Sequence, residues 1–242
     1  MLSNDPVTPM DDSIEPDAHA LPEIADHAMA DGPFPWPPVQ DENVLLAAGE
    51  TWRMSVFEPA RFFSSMPPTG YLAALAYAIP MGIIGAGLDL FWSSTFAVMG
   101  VSQTLTGWWP SGVPANPSLQ RLMIFLISPL STLLLLLLSS ALIHATLILL
   151  GAARRPIGST LRVLCFALGP TIFAVVPVVG QLVGSFWGAV LIVIGLRETQ
   201  ATSTARAIAA LVIPLLFLLA ASVFIALLLT LGTALGLLLG GM

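Results

Sequence analysis

Two uncharged runs constrain this chain more than any motif does. From Val163 to Leu196, 34 positions pass without a charged residue, and from Ala207 to Met242 another 36 do so. Soluble domains carry roughly a quarter charged residues, whereas this 242-residue chain carries 9%. About 20 apolar helical residues cross a hydrocarbon core of about 30 Å. The bilayer is therefore the solvent for most of the chain. The expected fold class is all-α: a polytopic membrane protein of five transmembrane helices with a disordered acidic N-terminal tail.

Charge divides the chain in two. Residues 1–50 hold eleven of the 14 carboxylates and no Lys or Arg. The remainder holds all eight Arg against Glu58, Asp89 and Glu198, so the formal charge of −6 belongs to the tail. Such an acidic segment is repelled by anionic lipid. It also lacks the apolar clusters that offset ordering entropy. Within it, residues 31–38 include Pro33-Phe34-Pro35-Trp36-Pro37-Pro38, which favours polyproline II and exposes two aromatics. This segment reads as a stiff linker or as a docking peptide for a cytoplasmic protein. The lone Cys165 excludes an intrachain disulfide and reads as a small packing residue. The first 50 residues show no basic start followed by an apolar core, so no secretory signal peptide is expected. Eight Arg without Lys, beside abundant Ala, Leu, Gly and Pro, suit a GC-rich bacterial genome and hence the inner membrane.

The pattern along the chain gives the segments. Residues 51–68 read as an amphipathic lead-in lying in the headgroup plane, with Trp52, Val56, Phe63 and Met66 turned inward, a bend at Pro59 and a stop at Pro67-Pro68. The transmembrane bundle of 69–242 is expected to have spans at about 71–97, 123–150, 163–179, 182–196 and 207–239. In the first span Ala74, Ala78, Gly82 and Ala86 recur every fourth residue, a row of small side chains that lets a neighbouring helix approach. Pro80 is expected to kink it. Gly232, Gly236 and Gly240 form a second such row. In the second span positions 132, 136, 140 and 144 share a face that is expected to meet protein. The third and fourth spans are short, contain Pro170 and Pro177, and have their turn signal at Gly180-Gln181. They read as a tight transmembrane hairpin or a re-entrant one, and backbone freed by the prolines must find partners inside the bundle. The loop 102–120, with Trp108-Trp109, suits an interface.

With five spans, Arg53, Arg61, Arg154, Arg155, Arg162, Arg197 and Arg206 fall on one side and only Arg121 on the other. The positive-inside rule then places the N-terminus in the cytoplasm and the C-terminus outside.

The segment 158–207 resembles the Yip1-domain family of polytopic membrane proteins. The likeness rests on Ser159-Thr160-Leu161-Arg162-Val163, Phe166-Ala167-Leu168-Gly169-Pro170, Pro177 with Gly180, Trp187, Gly195-Leu196-Arg197-Glu198 and Ser203-Thr204-Ala205-Arg206-Ala207. The earlier Phe57-Glu58-Pro59-Ala60-Arg61-Phe62-Phe63 looks like the family pattern ahead of its first span. The resemblance implies a five-helix membrane domain with a cytosolic N-terminus. Eukaryotic members are associated with vesicle traffic and small Rab-type GTPases. This chain departs from the pattern at Gln200, where many members have His, and at Arg206, where many have Lys. It has no counterpart of the acidic and glycine motifs of eukaryotic members, so a GTPase partner is not carried over.

Candidate site residues are few. Asp89 is the sole carboxylate within a span, and intramembrane acids are functional candidates by default. Eighteen residues from Tyr71, it falls near the outer interface, where hydration also accounts for it. His144, towards the cytoplasmic end of the second span, is expected to bond Ser140 or a backbone carbonyl. Gln181 marks the hairpin tip. Asp89 and His144 fall on opposite sides of the bilayer and are not expected to pair. Arg154, Arg155, Arg162, Arg197 and Arg206 form a cytoplasmic basic cluster, read as a topology determinant or as a receptor for lipid headgroups or an acidic segment, the tail included. No metal-ligand spacing, phosphate loop or nucleophile with an evident base occurs. The chain is therefore expected to be non-enzymatic, with no cofactor and no nucleic-acid partner. The leading reading is a membrane scaffold that assembles with its own copies or other membrane proteins. The alternative is a small transporter or channel using the proline-containing 163–196 hairpin.

Overall fold

Prolines and glycines set most of the helix limits. The computed structural model describes residues 34–38, 43–67, 70–99 and 117–240, side chains of 117 and 234–240 excepted. Its elements are α1 (Val44–Phe57), α2 (Pro59–Ser64), α3 (Tyr71–Val98), α4 (Pro117–Leu149), α5 (Ile157–Phe166), a 3-10 segment (Gly169–Val175), α6 (Val179–Gln200) and α7 (Thr204–Gly240). The Asn43 side chain caps α1 by accepting from the Leu45 N–H. Pro59 opens α2 at its first position, where a missing N–H costs nothing, so the chain bends at Glu58. Gly70, at φ 97°, precedes α3, and Pro156 precedes α5. Pro80, Pro129 and Pro214 lie inside α3, α4 and α7.

Among the described residues every regular element is helical, and five segments are long and apolar enough to cross a membrane: α3, α4, α5 with the 3-10 segment, α6 and α7. The third span shifts towards the N-terminus, to Ile157–Val175 from the expected 163–179, and the fourth extends at both ends, to Val179–Gln200 from 182–196. The third span changes helix type after Phe166. Ten α-helical residues rise about 15 Å, and seven 3-10 residues add about 14 Å. The change of helix type thus stretches a short segment to nearly the hydrocarbon thickness.

This third span is the centre of the bundle. Every residue from Ser159 to Ala167 is buried. Helices α3, α4 and α6 pack around it. Helix α7 packs on α4 and α6 through its first turns, where Ala207, Ala210 and Pro214 are buried, while the side chains from Val212 to Thr233 are otherwise largely exposed. Leu136 and Ser140 are buried and Thr132 and His144 half-buried, so the predicted protein-facing row of α4 does face protein. The α3 row behaves likewise: Ala74 and Ala78 are buried, and a Cβ on Gly82 would overlap the Thr132 side chain. At Gly82 that row lets α3 and α4 come together within one chain.

The lead-in differs from expectation. Val56, Phe62, Phe63 and Met66 are buried in protein rather than turned to lipid. Helix α1 packs on the 3-10 segment and α2 on α6. An amphipathic pattern specifies that one face leaves water and not what covers it. The boundary expected at residue 50 also shifts, because α1 begins at Val44. Upstream, Phe34 and Trp36 are packed on the bundle and not exposed as expected. The Phe34 ring lies 4.8 Å from that of Phe62, the Trp36 ring lies 5.9 Å from that of Tyr77, and the Trp36 indole N–H donates to the Ala73 carbonyl at 2.6 Å. The acidic residues 1–33 and the loop with Trp108-Trp109 lie outside the described residues.

The turn between the third and fourth spans is tight. Val178 adopts φ 62°, where L-residues are rare. Gly180 lies against the preceding segment so closely that a Cβ would overlap the Phe173 carbonyl oxygen. The backbone of this irregular region finds its partners in tryptophans. Trp52 of α1 donates to Gly169 O at 2.8 Å, and Trp92 of α3 donates to Ala174 O at 3.1 Å, one near each end of the 3-10 segment. Trp187 of α6 in turn donates to Val56 O at 3.0 Å.

Candidate functional site

Two polar regions stand out, one where α4, α5 and α6 meet the 150–156 connection and one towards the opposite ends of α3 and α6.

The first is a buried amide network. Gln200, at the C-terminus of α6, is fully buried. Its Oε1 accepts from the backbone N–H of Arg154 at 2.9 Å and of Arg155 at 2.8 Å. Its Nε2 donates to Arg155 O and to Thr160 Oγ1, both at 3.4 Å. His144 Nδ1 reaches the same Thr160 hydroxyl at 3.0 Å, joining α4 to the network. The expected bond of His144 to Ser140 is not formed, since the Ser140 hydroxyl donates to Leu137 O. These groups tie three helices and a connection together without a net charge.

The five arginines of the expected basic cluster gather at this end but do not act alike. Arg154, Arg155 and Arg206 are exposed. Arg197 pairs with its neighbour Glu198 at 2.6 Å on a partly exposed surface, an ion pair that contributes little to stability. Arg162 departs from the cluster: it is 2% exposed and its Nη1 donates to the Pro67 carbonyl. It links α5 to the chain between α2 and α3, because the backbone after α2 runs over the buried start of α5.

The second region is a cavity of about 760 Å³ between α3, α4, the 3-10 segment and α6. Asp89 and Gln181 both line it, as do Trp92 and Phe96. Two of the three polar candidates thus meet in one place although 92 residues separate them in sequence. His144 belongs to the other region and is not brought to Asp89. Ser139, Thr171 and Ser185 add hydroxyls to the wall, while Leu136, Leu164, Leu168 and Ile192 add apolar surface. Asp89 itself is exposed on α3 and has no ion-pair or hydrogen-bond partner among the described residues. Sequence reasoning missed Thr160, Ser139, Thr171 and Ser185. Single hydroxyls in apolar runs carry no signal of what faces them across the bundle.

Of the second small-residue row, Gly232 lies in open space, and the surroundings of Gly236 and Gly240 lie outside the described residues.

No curated protein and no solved structure matches the chain. The family model of the Yip1 domain matches residues 54–227, from within α1 to the exposed part of α7. That match includes all five candidate spans up to residue 227, the amide network and the cavity. The protein is a multi-pass integral membrane protein and belongs to the Yip1 domain family.

Proposed function

We infer that this protein is a non-enzymatic scaffold of a bacterial inner membrane, which holds its N-terminus in the cytoplasm and presents the acidic residues 1–33 to a partner there. One observation carries the reading. Phe34 and Trp36 dock on the bundle, against Phe62, Phe166 and Tyr77. The acidic stretch therefore leaves from a fixed point rather than from a free linker. Residues 34–38 serve as its anchor, and the recognition segment lies upstream of them. The arginine asymmetry supports the cytoplasmic placement. With the α3 small-residue row used inside the chain, α7 beyond Pro214 is the surface for assembly with a second copy or another membrane protein.

The test is affinity isolation from native membranes in lipid nanodiscs. Full-length protein is compared with a version lacking residues 1–32, which keeps Phe34 and Trp36. The expected result is a partner retained by the first and lost by the second. Identical sets from both would overturn the reading.

A second reading, a small transporter, has the cavity in its favour. A proline-broken span beside a large polar-rimmed space is the arrangement used by substrate paths. Flux into liposomes that is unchanged by Asp89→Asn would count against it.

A further inference from the structure

We propose that the cavity between α3, α4, the 3-10 segment and α6 binds an amphiphile with a cationic ammonium head and an alkyl chain. The inference depends on neither functional reading: it concerns occupancy, which is measured by binding and not by flux or partner capture.

The head site is built on one face of α3. Asp89, Trp92 and Phe96, three and four residues apart, all line the cavity. The Trp92 and Phe96 rings are stacked, with centroids 5.9 Å apart and planes at 28°. The bond from the Trp92 indole to Ala174 O fixes its ring. Aromatic faces attract ammonium groups that approach within about 6 Å of the centroid. A carboxylate on the same face adds a full charge.

The sign of the preferred ligand follows from the charges present. Asp89 is the only charged side chain lining the cavity among the described residues. The sequence has no Lys, Arg or His between Arg61 and Arg121. Asp89 is exposed to the cavity side of α3 and has no ion-pair or hydrogen-bond partner among the described residues. A cationic head supplies the partner that the protein does not, and an anionic head would be repelled.

The depth argues for an alkyl chain. From Gln181 to Ile192 the α6 wall of the cavity runs eleven residues, about 16 Å. Most of the cavity wall is apolar, with Leu136, Leu164, Leu168 and Ile192 among the lining residues. A small soluble amine would leave this apolar surface uncovered, whereas a chain buries it at about 0.8 kcal/mol per CH₂. The volume falls within the ~300–1,000 Å³ of small-molecule sites.

The experiment uses full-length protein in phosphatidylglycerol nanodiscs and a long-chain alkyltrimethylammonium probe with a photoreactive group on its chain. Sulfate-headed and glucoside-headed probes of equal chain length serve for comparison, and crosslinked peptides are identified by mass spectrometry. The ammonium probe is expected to label the cavity walls saturably, with sulfate and glucoside probes at least ~10-fold weaker. Asp89→Asn should weaken ammonium labelling about 10-fold, and Asp89→Glu should restore most of it. Equal labelling by the sulfate probe, or by Asp89→Asn, overturns the proposal. Tetramethylammonium without a chain is the remaining arm. Competition equal to that of the long-chain compound would show a site for free amines and overturn the amphiphile assignment.

Discussion

The Trp52 indole of α1 donates to the Gly169 carbonyl, 117 residues away, at 2.8 Å. This bond joins a segment that precedes the first span to the point where the third span changes from α to 3-10 helix. Hydrogen bonds of a 3-10 segment have poorer geometry than those of an α-helix, and its carbonyls have little access to water within the bundle. Trp52→Phe keeps the ring and removes the donor. Losing one hydrogen bond to a buried carbonyl costs about 0.5–1.5 kcal/mol. The variant is therefore expected to unfold more readily in mixed micelles by that amount, measured by denaturant titration. Unchanged stability would mean that the carbonyl finds another donor and that α1 is not part of the bundle's core.

The close approach of Gly180 to Phe173 sets up a second expectation. A Cβ at 180 would overlap the Phe173 carbonyl oxygen, which is backbone and cannot rotate away. Overpacking typically costs about 1–3 kcal/mol. Gly180→Ala should reach the upper part of that range or prevent accumulation of folded protein. Gly158→Ala is the matching control, because no atom lies within 4 Å of the position its Cβ would take. Thermal unfolding of the two variants in the same detergent separates the local collision from a general glycine effect.

Gln200 should behave as a structural keystone rather than as a ligand. Its Oε1 satisfies two successive N–H groups, those of Arg154 and Arg155. Gln200→Leu fills similar volume but leaves both donors and the Thr160 hydroxyl without this partner, a loss of about 2–4 kcal/mol. Gln200→His retains one acceptor and should lose less. Stability of both variants, with proteolysis between α4 and α5 as a local readout, tests the assignment. Equal stability of wild type and Gln200→Leu would remove the network from the account of the fold.

What the chain disclosed in advance was governed by the range of each signal. Helices α3, α4 and α7 were legible because apolar runs bounded by prolines and arginines are local. The α3 row of small residues was legible as a packing face, although not its partner, which is Thr132 of α4. The sequence signals a turn at Gly180-Gln181, while the unusual backbone is at Val178 and Gly180 is required by close contact instead. The 3-10 segment left no periodic trace in seven residues. Trp52 reads as an interfacial aromatic, since an indole that seeks water and one that seeks a distant carbonyl look the same in sequence. Gln200 with Arg155, and Asp89 with Gln181, are encounters that only the bundle creates.

The lengths of the third and fourth spans yield the last prediction. The ten α-helical and seven 3-10 residues within 157–175 rise about 29 Å together, and the 22 residues of α6 rise about 33 Å. Both lengths are close to a hydrocarbon core of about 30 Å. The tip at Gln181 should therefore emerge opposite the connection that carries Arg155. In a Cys165→Ser background, single Gln181→Cys and Arg155→Cys variants are labelled in sealed, oriented membranes with a maleimide that does not cross the bilayer. Both positions are exposed in the fold, and the Arg155 contact with Gln200 uses only its backbone. Arg155→Cys should be labelled from the cytoplasmic face and Gln181→Cys from the other. Labelling of both from one face would make the pair re-entrant. It would also move the cavity's Asp89 and Gln181 to unlike depths, which the walls of a single site do not allow.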